Sequence, residues 1–324
     1  MPSDESPTAA PDTEGVSGPP VCFRHPQRET YLRCARCDRS ICTDCMVAAS
    51  VGFHCPECVR DGNRVVRQPR TVAGGRAQSR NGVVTVVLIA ICVVIFGLQQ
   101  IIGAAFTNRL DLQAMAPHIE SLPSSSDIGV VYGDWYRLVS SIFVHANIAH
   151  LAMNMLSLWF IGLPVEARLG RTRYALTFLT CGIAGSAASF LSLGEYGSSL
   201  GASGAIFGLL GVLAVLAFRE KLDLQPIITV IILNLIFSFT VGGISWQSHV
   251  GGLVCGLLLG VALAYAPRAR TVVAWFRNPQ IVIPSAVGTG LLLISAVAVI
   301  VHTKQLQDTY SASILGGNWI NLLR

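Results

Sequence analysis

Gly201-Ala202-Ser203-Gly204 and His249-Val250-Gly251-Gly252-Leu253-Val254-Cys255-Gly256 place a hydroxyl and an imidazole inside stretches otherwise fit only for lipid. Polar and ionisable groups at membrane depth are costly and therefore point to function; a nucleophile with a candidate base points to hydrolysis. The glycines around them recur at helical spacing: Gly201, Gly204, Gly208 and Gly211 mark one packing stripe, and Gly252, Gly256 and Gly260 another. Helices satisfy their own backbone groups in lipid, and small residues let them pack closely. The expected fold is all-α and polytopic. A serine between small residues is also an ordinary packing position, and a membrane histidine can simply bond a carbonyl or line a polar cavity. It is their joint occurrence that favours chemistry.

Composition agrees with a membrane protein. The 324 residues are 52% hydrophobic and 13% charged, with a mean hydropathy of +0.56, too apolar for an ordinary soluble globule. The net charge of +5 comes largely from arginines flanking apolar runs. It suits topology and contact with anionic lipid, and no interleaving of aromatic and basic residues favours nucleic acid. Shifts in composition mark a disordered tail (1–20), a cysteine-rich module (21–60), a basic linker (61–80) and apolar runs thereafter; the family resemblance described below divides these into a six-span core (81–266) and a seventh span with an outer tail (267–324). Apolar windows long enough to cross a hydrocarbon core start near Val83, Ile142, Tyr174, Ser203, Pro226, His249 and Ile281.

Arginine and lysine concentrate on alternate connections: Arg60 to Arg80, then Arg168, Arg171 and Arg173, then Arg219 and Lys221, then Arg268, Arg270 and Arg277. The positive-inside rule places the N-terminus in the cytoplasm and the C-terminus outside. The second, fourth and sixth spans then run inward, so His145, His150 and Asn154, then Ser203, then His249 occupy the outer parts of their helices and can converge in one leaflet. At a helix start, free N–H groups and the dipole favour negative charge. The Ser203 N–H and the His150 and Asn154 side chains are candidate donors to an oxyanion.

These residues resemble the signature set of the rhomboid proteases. The likeness is carried by Gly201-Ala202-Ser203-Gly204 with Phe207 and Gly208, by His145, His150 and Asn154, and by His249 with Gly252 and Gly256. Trp135-Tyr136-Arg137 and Glu166-Ala167-Arg168-Leu169-Gly170 add to it, and the resemblance covers about 80 to 266. It implies a serine endopeptidase that cleaves transmembrane segments of proteins within the lipid bilayer, with Ser203 as nucleophile and His249 as general base in a dyad lacking a carboxylate. Phe207 would pack on the His249 ring, His150 and Asn154 would stabilise the oxyanion, and His145 would support the outer loop or water access. Trp135 and Arg137 would belong to an outer loop lying against the membrane; their plainer reading is an interfacial aromatic with a flanking charge. Glu166 and Arg168, in the opposite leaflet, would stabilise the inner loop. Together with the span pattern, the resemblance implies a bacterial plasma membrane. Ser248 stands where many members carry glycine or alanine, and Tyr136 separates Trp135 from Arg137; neither departure removes a reacting group. The rival readings are a non-catalytic rhomboid-like factor that binds membrane clients, against which both Ser203 and His249 count, and a secondary transporter, which would show repeat symmetry or paired broken helices.

The module carries four ligand pairs: Cys22-x-x-His25, Cys34-x-x-Cys37, Cys42-x-x-Cys45 and His54-Cys55-x-x-Cys58. Such pairs suit tetrahedral zinc, which can hold a segment too small for a self-sufficient core; a disulfide cluster is the alternative, disfavoured by a cytosolic placement. The spacing resembles a B-box-type finger, which implies that alternate pairs share a metal. Cys22, His25, Cys42 and Cys45 would hold one Zn2+, and Cys34, Cys37, Cys58 with either Cys55 or His54 a second. No ligand position looks open, so the zinc is expected to be structural. The module could bind a cytosolic protein partner, and Arg24, Arg28, Arg33, Arg36 and Arg39 could meet an acidic surface.

Overall fold

The structure is a computed structural model that describes residues 18–65, 71, 82–115, 128–194, 197–266 and 279–315. The expected tail before residue 18, most of the basic linker, the connection 267–278 and the stretch 316–324 lie outside the described residues. Two compact units divide the chain, Met1–Gln68 and Pro69–Arg324.

In the first unit, β1 (Val21–Cys22) pairs antiparallel with β2 (His25–Glu29) across a register shift, β3 (Val47–Ala48) pairs with β4 (Phe53–His54), and α1 (Pro56–Val65) follows. The strands are too short to bury a sheet face. The core is instead the cysteines themselves around Ile41, with Phe23, Leu32 and Phe53 packed on them. Four of the five arginines expected to reach outward are engaged inside the unit: Arg28 pairs with Asp44, Arg33 with Asp38 and Arg39 with Glu57, while Arg36 donates to the Cys58 carbonyl. Arg28, Arg33 and Arg39 stay exposed at the surface of the unit.

The second unit is helical: α2 (Val83–Ile102), α3 (Ala104–Leu110), α4 (Arg137–Ser140), α5 (Ile148–Leu169), α6 (Arg171–Phe190), α7 (Ser203–Arg219), α8 (Gln225–Thr240), α9 (Trp246–Tyr265) and α10 (Pro279–Leu315). Among the described residues, its seven long helices begin within six residues of the seven expected starts. By length and apolarity, Val83–Ile102, Ile148–Leu169, Trp246–Tyr265 and Gln280–Ser311 can each cross a membrane; α7 and α8 are apolar but shorter. Together with the rhomboid-like motifs, this is an all-α polytopic membrane architecture.

Three boundaries differ from expectation. The second span starts at Ile148 and not Ile142, because the Asn147 side chain caps it by accepting the His150 N–H at 2.9 Å. His145 therefore precedes the helix. Glu166 and Arg168 lie in the last turn of α5, not in a loop, and the chain reverses at Gly170, whose φ of +77° glycine tolerates best. The last helix continues past Val301, and Gln307 donates to the Val131 carbonyl at 3.0 Å, so this segment ties down the loop that precedes α4.

α7 sits at the centre, apolar and buried around most of its circumference, with Leu209, Val212 and Leu216 packed against Leu158, Leu169, Tyr174, Phe178 and Leu263. Its contact with α9 is made by backbone. A Cβ on Gly252 would land on the Gly204 carbonyl oxygen and one on Gly256 on the Gly208 carbonyl oxygen. Gly201 departs from the expected stripe: it precedes α7 and packs on another element.

Candidate active site

Ser203 is the first residue of α7, one residue after the N-cap position, where Ala202 offers no side-chain cap. The turn before it is held by three devices. β5 (Leu112–Gln113) pairs with β6 (Ser198–Ser199); the Gly201 N–H donates to the Ser141 carbonyl at 2.8 Å; and Gly201 takes a φ of +119°. A Cβ on Gly201 would lie 2.7 Å from His150 Cε1, so glycine leaves room for the His150 ring against the turn that leads into Ser203.

His249, in the first turn of α9, reaches Ser203 through the glycine contact. Its Nε2 lies 2.6 Å from Ser203 Oγ, and its ring stacks on Phe207 at a centroid distance of 4.4 Å and an interplanar angle of 12°. Ser248 fits between Gly185 of α6 and Gly204 of α7, so this departure from the family pattern is absorbed by glycines on two neighbouring helices. The other ring nitrogen of His249, Nδ1, lies 2.6 Å from Ser238 Oγ on α8. Sequence reading missed Ser238. Its signal was a lone hydroxyl in Leu235-Ile236-Phe237-Ser238-Phe239.

Asn154 is buried one turn after His150 and donates from Nδ2 to the His150 carbonyl at 2.9 Å, leaving its second amide N–H for another acceptor. His145 is fully buried with its ring 5.3 Å from that of His150, edge to face. Arg137 departs from the interfacial reading: it is 1% exposed. It pairs with Asp134 at 2.9 Å and Asp111 at 3.4 Å, and donates to the carbonyl of Asn108 at 2.7 Å. The connection between α3 and α4 is thus organised around a buried guanidinium, while Trp135 stays partly exposed. At the far end of α5, Glu166 accepts from the backbone N–H of Val84 and Thr85 at 3.0 and 2.8 Å, supplying acceptors for first-turn donors of α2.

The first unit holds two clusters that could hold metal ions: Cys22, His25, Cys42 and Cys45, and Cys34, Cys37, Cys55 and Cys58. Within each, the donor atoms all lie within 4.8 Å of one another. Tetrahedral zinc with bonds of about 2.3 Å sets its sulfur ligands about 3.8 Å apart, so both sets fit. Cys37 and Cys55 Sγ are 3.7 Å apart, and His25 Nδ1 is 3.3 and 3.4 Å from the sulfurs of Cys42 and Cys45. The pairs interleave, first with third and second with fourth. Of the two candidates for the eighth position, Cys55 lies in the cluster and His54 does not. Burial raises the Cys34 thiol, yet the N–H groups of Cys55, Arg36 and Cys37 outweigh it and draw it down to about 6. Arg39 approaches Cys37 Sγ at 3.3 Å, a cation beside a cluster whose four sulfurs, as thiolates, would exceed the charge of one divalent ion.

A helical membrane unit with a hydroxyl and an imidazole joined in its interior defines a class, and known proteins name it. A family model for the Rhomboid domain matches residues 132–266. Rhomboid protease GluP of Bacillus subtilis is 38% identical over 209 residues, which cover 63% of this chain and 39% of that protein. RHOMBOID-like protein 4 of Arabidopsis thaliana is 39% identical over 173 residues, 50% of this chain and 44% of the relative. YdcA of Bacillus subtilis is 34% identical over 169 residues, and the match covers 85% of its length. The chain belongs to the rhomboid family. It spans less than half of the first two relatives.

Proposed function

We propose that this protein is an intramembrane serine endopeptidase that cleaves transmembrane segments by a Ser203–His249 dyad. The observation that carries the reading is the 2.6 Å contact between Ser203 Oγ and His249 Nε2, inside a helix pair closed by glycine. In the proposed reaction, Nε2 takes the Ser203 proton as Oγ bonds to the scissile carbonyl carbon; the imidazolium then returns that proton to the leaving amine, and water hydrolyses the acyl-enzyme. The Ser203 N–H, His150 and the free Asn154 amide hydrogen serve the oxyanion. The depth of the site supports the substrate class. Ser203 to Arg219 is a rise of about 24 Å at 1.5 Å per residue, less than the hydrocarbon thickness of about 30 Å, so with Arg219 at one interface Ser203 lies below the other. A substrate helix must give up backbone hydrogen bonds to reach it, which favours segments with glycine, proline or small residues near the cut.

The same reading assigns a structural Zn2+ to each cluster of the first unit, and a bacterial plasma membrane with a cytoplasmic N-terminus and an outer C-terminus, following the arginine distribution. The test is labelling of detergent-purified protein with a fluorescent fluorophosphonate, which bonds only an activated serine. Labelling of the wild type that is lost in Ser203→Ala and His249→Ala is expected; a folded wild type that does not label would shift the reading to a client-binding rhomboid relative.

A further inference from the structure

We infer that Ser238 is the positioning residue of His249, fixing its ring in the one tautomer able to accept the Ser203 proton. The inference deepens the proposed dyad and rests on it. Three short contacts form a line: Ser203 Oγ to His249 Nε2 at 2.6 Å, His249 Nδ1 to Ser238 Oγ at 2.6 Å, and Ser238 Oγ to the Asn234 carbonyl oxygen at 2.6 Å.

Proton counting sets the direction of that line. A carbonyl oxygen has no proton to give, so the short contact at Asn234 requires the Ser238 hydroxyl hydrogen to lie there. The Ser238 oxygen can then only accept from the imidazole, which places the ring hydrogen on Nδ1. Nε2 is left with its lone pair facing Ser203 Oγ, and the Ser203 proton occupies that contact. The opposite arrangement, with Ser238 donating to Nδ1, would put a hydrogen on Nε2, leave the base blocked and strand two oxygens at 2.6 Å with no proton between them.

The line also explains how a dyad without a carboxylate stabilises the charge it makes. Once Nε2 takes the proton, the cationic ring donates from Nδ1 to an oxygen polarised by the Asn234 carbonyl, in the last turn of α8, where the helix dipole favours positive charge. Among the described residues of α8, Ser238 is the buried one, so the helix presents this hydroxyl to the site and little else. The partners described around the ring are Ser203, Ser238 and the Phe207 face.

The experiment uses full-length protein labelled with 15N-histidine, comparing wild type, Ser238→Ala and Ser238→Thr, with His249→Ala to assign the signal, alongside fluorophosphonate labelling rates. The expected result is a single Nδ1–H tautomer in the wild type, a mixture of tautomers in Ser238→Ala with labelling slowed about tenfold to a hundredfold, and recovery of both in Ser238→Thr. A wild-type His249 protonated at Nε2, or a Ser238→Ala protein with unchanged tautomer and rate, would overturn the inference. Should Ser238→Ala not fold, the wild-type spectrum and the threonine variant still decide. Should the wild type not label at all, the catalytic reading fails while the tautomer separately decides the role of Ser238.

Discussion

In the first unit eight donor side chains converge on two points, and the core is little more than those cysteines around Ile41. In the membrane unit α7 and α9 meet through backbone, with Gly252 against the Gly204 carbonyl and Gly256 against that of Gly208. The first arrangement depends on atoms being present, the second on atoms being absent. In water, a chain of this size lacks apolar area to fold alone, and metal held by the two clusters would supply the deficit. In lipid, apolar area confers no advantage between helices, and close approach does the work of cohesion.

The largest effect that can break this comparison is metal removal. Structural zinc contributes on the order of 10–16 kcal/mol in small zinc-binding peptides, so a strong chelator should unfold residues 18–65 completely. Limited proteolysis and a zinc count of two per chain would follow the loss. Serine labelling should persist; its disappearance would assign the metal to the active site.

Adding one methyl group to the tight interface should come next. Gly256→Ala should cost about 3 kcal/mol, because the methyl meets backbone that cannot swing aside, whereas Gly290→Ala on α10, with open space around it, should be neutral or stabilising by up to about 1 kcal/mol. Denaturant titration in mixed micelles compares them. An equal effect at both positions would sink the packing argument.

A smaller loss is expected at the other end of α5. Glu166→Gln keeps one acceptor but removes the charge facing the first turn of α2, and should lower stability by about 1–2 kcal/mol in the same titration. Serine labelling per folded molecule should stay unchanged, since the interaction is remote from the dyad.

The smallest effect should come from the ring stack. Phe207→Leu leaves apolar volume in place but removes a flat partner from His249, a loss of about 0.5–1.5 kcal/mol. Labelling rate should fall about twofold to tenfold with the melting behaviour preserved. A larger fall accompanied by unfolding would recast Phe207 as a core residue.

Much of the membrane unit was legible in one dimension. Apolar run length placed seven helices because hydropathy is a local property, and the glycine pair Gly252 and Gly256 announced a helix contact before its partner was known. Ser203 at a helix start was legible for the same reason. Of the two readings of Arg137, the interfacial charge beside Trp135 fails: the guanidinium is enclosed by Asp111 and Asp134, and nothing in the spacing of those three residues predicts a buried network. His145 was assigned to a helix because the apolar run extends across it, whereas the Asn147 cap starts the helix later. Ser238 is not singled out by the sequence because a hydroxyl in an apolar helix usually bonds back to the carbonyl one turn earlier. Here it does so at Asn234 and serves the ring as well.

By itself, then, the sequence determined the class of chain, the places of its apolar helices and the four Cys/His pairs, since apolar length and x-x spacing act within one or two turns. Tertiary structure alone decided that Cys55 and not His54 completes the second cluster, that Gly201 serves His150 and not the α7–α9 stripe, and that α8 supplies the oxygen behind His249. Each of these depends on the register of elements far apart in the chain, where one residue of sliding moves a side chain by more than the reach of a hydrogen bond.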